Sequence, residues 1–281
     1  MPDASAAPSF QRSIAIIIGI DAYDHGIPTL RTAVNDARRL ADVLARQHGY
    51  EVTTLVDGGA TRARLVELLT HELPTRITAD DRVILYFAGH GVAIDGHDGP
   101  NGYLLPVDAH RGDESTYLTM PLVHDALLAL PCRHLLVVLD SCFSGAFRWG
   151  TTRDVPAVPE VVHRERYERF VRDPAWQVIT SAAQDQTALD QLVTGTLGGR
   201  DGDGDHSPFA VALFEGLGGL GDIMPPNGGD GLITATELYV YIEDRLQLAT
   251  IEARRRQTPR LWPLAKHEKG EFVFTVPGRD L

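Results

Sequence analysis

Cysteine is nearly absent from this chain of 281 residues, which holds only Cys132 and Cys142. Two thiols cannot build the disulfide framework of a small secreted domain, and they lack the Cys/His spacing of a structural zinc site. Positive charge is short as well: 26 Lys and Arg stand against 38 Asp and Glu, a formal net charge of −12. A surface of that sign repels phosphate backbones and anionic lipid, so neither nucleic acid nor membrane is expected as the main partner. No apolar run approaches the length of a bilayer span. The opening Met-Pro-Asp-Ala-Ser-Ala-Ala-Pro has no cationic segment leading into an apolar one, so no secretory signal is expected there. A reducing cytoplasmic setting, where a free thiol persists, fits these absences. There is also no repeat of fixed period, and no Gly-x-Ser-x-Gly elbow of an α/β hydrolase.

What remains is ordinary globular material, 43% hydrophobic and 23% charged, enough to bury a large core. Residues 1–12, rich in Pro, Ala and Ser, are read as a flexible leader, and 13–281 as one domain. Apolar runs at 14–20, 51–56, 83–87, 135–139 and 176–180 predict strands, with 271–276 as a sixth and last. Helical spacing is seen over 33–48, 62–73, 123–130, 209–217 and 236–248. Strands alternating with helices predict an α/β fold, a doubly wound and mostly parallel six-stranded sheet with helices on both faces. The connection 148–175 is polar and unusually long, and carries Arg148, Arg153, Arg164, Arg166, Arg169 and Arg172.

Two motifs carry chemistry. Tyr-Phe-Ala-Gly-His-Gly over 86–91 sets His90 just past the third strand, and Leu-Asp-Ser-Cys-Phe-Ser-Gly over 139–145 sets Cys142 just past the fourth. Ligands of an open parallel sheet bind outside the carboxyl ends of its strands, so imidazole and thiol meet there if the two strands are neighbours. A thiol is a weak nucleophile at neutral pH until a nearby imidazole takes its proton. The N–H groups of Gly91 and Cys142 are candidate donors for an oxyanion hole. Taken singly, such a histidine reads as a loop residue and such a cysteine as a small hydrophobe. Paired, each past a buried strand and close to glycine, they are far more specific.

These motifs resemble the catalytic segments of caspase-like cysteine peptidases, most closely the metacaspase and bacterial branch. Cys142 follows His90 at about the 50-residue spacing typical of caspases. The resemblance extends to Ile-Gly-Ile-Asp at 18–21, to 30–36, to Ile-Thr-Ser-Ala at 179–182 and to Ser-Pro-Phe-Ala at 207–210. It departs at Phe143, where metacaspases commonly have histidine. It implies a protein or peptide substrate, a Cys142–His90 dyad and a part in cell death, stress or defence, with a sensor or partner protein as trigger. The alternative is a catalytically silent scaffold of the same fold.

Metacaspases resemble trypsin in preference, and Asp36 and Asp140 match their acidic substrate-binding (S1) positions, which implies cleavage after Arg, then Lys. Two carboxylates together suit one guanidinium. Asp36 also reads as an acid placed by the helix dipole, and Arg31, turned into the pocket, would favour an acidic P1 residue instead. The arginines of 148–175 would be sites of self-cleavage, or else a surface helix. No cofactor is required by this reading. Some metacaspases depend on Ca2+, for which Asp108, Asp113 and Glu114 are candidates beside their simpler reading as solvated loop acids. Asp201, Asp203 and Asp205 begin like an EF-hand, but His206 takes the glycine position and Ala212 the bidentate glutamate, so that motif is rejected. Cys132 reads as a core thiol. Caspases pair through their last strand, for which 271–276 would be the edge, whereas metacaspases are often monomers.

Overall fold

Branched aliphatic residues fill the short runs that become strands, and helical stripes between them cover both faces of the sheet. The structure is a computed structural model that describes residues 10–96, 99–141, 168, 170–181, 205–224, 229–253 and 258–279. In chain order come β1 (Arg12–Gly19), α1 (Ala33–His48), β2 (Glu51–Val56) and α2 (Arg62–Glu67). A π turn, Leu68–Glu72, leads on into α3 (Leu73–Arg76) and β3 (Asp81–Ala88). A side sheet of β4 (Gly91–Gly96), β5 (Gly99–Leu104) and β6 (Leu118–Thr119) follows, then α4 (Met120–Leu128) and β7 (His134–Asp140). The later elements are β8 (Ala175–Thr180), α5 (Pro208–Glu215), β9 (Leu232–Thr234), α6 (Ala235–Ala253), β10 (Arg260–Pro263) and β11 (Val273–Thr275).

The main sheet has six strands in the order β10-β8-β7-β3-β1-β2. Five are parallel, and only β10 runs against its neighbour β8. Strand side chains alternate between faces. Ile14, Ile16 and Ile18 of β1 therefore join the α2–α3 and α4 layer, while Ala15 and Ile17 join the layer of α1, α5 and α6. Gly19 permits the closest approach: a Cβ there would lie 2.5 Å from the Ala33 carbonyl and from Ala37 Cβ at the start of α1.

Three details differ from the sequence reading. β1 starts at Arg12, one residue inside the expected leader, because Arg12 pairs with the buried Asp81 of β3 at 2.6 Å. The expected sixth strand, 271–276, is not an edge of the main sheet. Its Val273–Thr275 core pairs antiparallel with Leu232–Thr234, and the sixth position belongs to Arg260–Pro263. The side sheet after His90 was not anticipated, since Gly91–Gly96 and Gly99–Leu104 are short and interrupted by glycine in sequence. Residues 1–9, and all of 142–167 with its arginines, lie outside the described residues.

Candidate active site

The order β3-β1-β2 makes β1 the point where the sheet reverses direction: the chain leaves β1 toward β2 on one side and returns to β3 on the other. Loops diverging from such a point leave a crevice at the carboxyl ends of the strands. Residues 20–32 follow β1 here and His90 follows β3, so the two segments face one another. His90 Nε2 lies 2.8 Å from the carbonyl oxygen of Pro28. A carbonyl only accepts, so Nε2 carries the ring proton and Nδ1 is left as the basic nitrogen.

Tyr23 holds the backbone of that histidine. Its hydroxyl accepts the His90 N–H at 2.9 Å and donates to the Leu105 carbonyl at 3.0 Å. Leu105 N–H in turn donates to the His90 carbonyl at 3.0 Å, so these residues form the last hydrogen-bonded pair of the β4–β5 ladder. The tyrosine hydroxyl is inserted where the reciprocal bond of that pair would lie. Its ring packs on the imidazole at 4.8 Å between centroids. Burial keeps the phenol protonated far above its ordinary range. Gly89 makes room for it, since a Cβ there would lie 2.7 Å from the Tyr23 oxygen.

β3 and β7 are adjacent and parallel, with Ala88 opposite Asp140, and Gly89 N–H reaches the Asp140 carbonyl at 3.3 Å. Cys142 lies two positions beyond that pairing, outside the described residues; Ser141 is the last residue described before it. Of the expected oxyanion donors, only Gly91 can be placed. It sits opposite Leu104 in a pair that the ladder leaves unbonded, so its N–H turns away from β5.

The two acidic residues do converge. Asp36, in the first turn of α1, is 0% exposed, and Asp140 at the end of β7 is 8% exposed. Ser207 joins them, its N–H donating to Asp36 Oδ2 at 3.2 Å and its hydroxyl to Asp140 Oδ2 at 2.7 Å. His206 Nδ1 donates to Asp36 Oδ1 at 2.7 Å. Burial pushes the Asp36 carboxyl up, against the pull of its bonds to His206 and Ser207. Burial also lifts Tyr86 of β3 well above its ordinary range, and the charges of Asp140 and Asp36 add to this. Arg31 is exposed.

Asp108, Asp113 and Glu114 are not brought together. Asp108 accepts the Arg62 N–H, Asp113 accepts from the backbone and hydroxyl of Ser115, and Glu114 accepts from the Tyr103 hydroxyl. Among the described residues no group of three His, Cys, Asp or Glu could hold a metal ion. Cys132 is buried in the core, where burial pushes its thiol up to about 12, consistent with its reading as a core residue. Pro28, Tyr23, His206 and Ser207 were not singled out for the site. The first acts through a backbone carbonyl, and His206 meets Asp36 across 170 residues of sequence. No helix among the described residues is long and apolar enough to cross a membrane.

The caspase-domain family profile matches residues 12–263. Metacaspase III c of Phaeodactylum tricornutum is 29% identical over 163 residues, which are 51% of this chain and 44% of that protein. The chain thus spans under half the length of that curated relative. Among solved structures, a Geobacter sulfurreducens protein superposes with a TM-score of 0.58 at 20% identity, covering 92% of this chain and 95% of its own. Caspase-1 of Spodoptera frugiperda gives 0.57 at 16% identity, covering 95% and 96%. At those identities the likeness is one of fold.

Proposed function

The chain belongs to the caspase-domain family, and on that premise we propose that it is a cysteine endopeptidase with Cys142 as nucleophile and His90 as its proton partner. The observation that carries this reading is the posture of His90. Nε2 is committed to Pro28, the backbone is held by Tyr23, and Nδ1 is left basic at the sheet edge where the β7 strand ends. In the first step the Cys142 proton passes to His90 Nδ1 as Sγ attacks the peptide carbonyl. The N–H groups of Gly91 and Cys142 hold the resulting oxyanion. The imidazolium then gives its proton to the leaving amine, and a thioester forms. Water, deprotonated by the same nitrogen, opens the thioester and restores the thiol.

Asp36 and Asp140 supply two carboxylates joined through Ser207, which favours Arg, then Lys, at P1 over an acidic residue. The likeness to a metacaspase supports a place in cell death, stress or defence, and an enzyme of this preference would cut its own arginine-rich 148–175 connection. One comparison tests these points. Purified wild type and Cys142→Ala are assayed on fluorogenic peptides ending in Arg, Lys or Asp, and their intact masses are recorded. Turnover of the Arg peptide by wild type alone, with fragments only in wild type, is expected. Turnover that survives Cys142→Ala would sink the nucleophile assignment, and turnover of the Asp peptide alone would sink the basic pocket.

A further inference from the structure

Asp36 is fully buried and both of its oxygens are engaged, so a P1 side chain cannot reach it without displacing something. The two residues that engage it differ in how readily they can leave. Ser207 is 3% exposed and caps α5, its hydroxyl accepting the Ala210 N–H at 3.1 Å while it donates to Asp140. Removing it would take the cap from the first turn of that helix and a hydrogen bond from each of the two acids. His206 precedes the cap and takes no part in the helix. Its side chain is 28% exposed against 1% for that of Asp36, so of the two residues that engage the acid the imidazole is the one that reaches solvent. Among the described residues its other anchors are weak: an edge-on contact with Phe214 at 5.4 Å, and a long 3.4 Å hydrogen bond from Asn35 to the Asp205 carbonyl just before it.

We infer that His206 is a specificity-determining residue whose imidazole occupies the Asp36 oxygen that a basic P1 side chain must take, and which that side chain displaces on binding. This rests on the reading of Asp36 and Asp140 as the substrate-binding acids. The exchange replaces one N–H donor by a guanidinium fork, which supplies more bonds than it breaks, whereas an ammonium supplies a single point of charge. His206 therefore widens the preference for Arg over Lys. A neutral P1 group of the same shape has no charge with which to displace it, and the acid stays covered.

The test uses the full chain and two peptides that differ only at P1, arginine and its neutral isostere citrulline. In His206→Ala the Arg peptide should show a KM lower by about tenfold, the worth of one hydrogen bond to a charged group, with the citrulline KM unmoved. His206→Lys, a resident cation at the same spot, should raise the Arg KM by about tenfold. His206→Gln, which keeps an N–H donor, should return the wild-type value. Melting temperatures of all three separate loss of folding from loss of gating, and the opposite signs for Ala and Lys cannot come from lost stability. Parallel changes for both peptides, or no change in either, would overturn the inference. Asp36→Asn separates the two levels. If it leaves the Arg-to-citrulline ratio intact, the basic-pocket reading fails and takes this inference with it. If it collapses the ratio while the His206 variants leave KM alone, only the inference falls.

Discussion

The Tyr23 hydroxyl bridges the His90 N–H, in a part-buried hydrogen bond, and the Leu105 carbonyl, in a buried one. Tyr23→Phe keeps the ring against the imidazole and removes only the oxygen, leaving a part-buried donor and a buried acceptor unsatisfied. Such groups cost about 1–3 kcal/mol each when orphaned. Part of that cost should be relieved by a shift of His90, so kcat/KM is expected to fall by about tenfold or more, with a shifted acid limb in its pH profile. Steady-state kinetics across pH 5.5 to 8.5 checks this. A variant that lost only thermal stability, with an unchanged profile, would show that Tyr23 supports the fold without positioning the histidine.

At the scale of elements, one ion pair fixes where the neighbouring strands β1 and β3 begin. Arg12 reaches Asp81 through both Nε and Nη2, and Thr78 donates to the same carboxylate from its backbone and hydroxyl. Burial alone would raise the Asp81 carboxyl, but these bonds outweigh it and hold it below its ordinary range. Arg12 is partly exposed and Asp81 buried, so Asp81→Asn should cost about 1–3 kcal/mol, the range for a buried group left with fewer partners, read from urea unfolding. A loss under about 0.5 kcal/mol would mean the pair is effectively solvated. The strands themselves were legible because β1, β3, β7 and β8 are buried on both faces and read as continuous apolar runs. β10 was not. Arg-Leu-Trp-Pro is short, has one fully buried residue in Leu261, and ends in a proline that only an edge tolerates. The segment 271–276 misled for the opposite reason, since Phe272 and Phe274 are buried against α1 and α6 rather than in the main sheet. At the site, His90 and Asp140 were readable because a motif follows its strand directly. Pro28 and His206 were not, since neither a carbonyl oxygen nor a contact made across most of the chain leaves a pattern in sequence.

The molecule as a whole holds ionisable groups whose burial sets opposite pH limits. His48 is pushed down to about 4 and His134 to about 3, in each case by burial first. Their folded values lie below the ordinary 6.5, so the stability they contribute is complete above that pH and is lost as pH falls toward 4 and 3. Glu237 behaves in reverse. Burial lifts it to about 7, so its contribution is complete below its ordinary 4.5 and is lost as pH rises through 7. Glu237→Gln should flatten the change between pH 6 and 8, and in that variant, where the opposing acid is gone, urea midpoints should decline from pH 6.5 to 5. A midpoint that rose on acidification would contradict the buried, neutral histidines. A last consequence belongs to the pairing of β7 with β8. Leu139 lies beside Thr180 in one hydrogen-bonded ladder, although the chain makes a long excursion between them. A break anywhere within 143–167 would yield two polypeptides, one bearing Cys142, His90, Asp36 and Asp140 and the other bearing β8, β10 and His206. Neither could leave without tearing that ladder and the core behind it. Severing the backbone there would change the number of chains while the β7–β8 pairing still joined them.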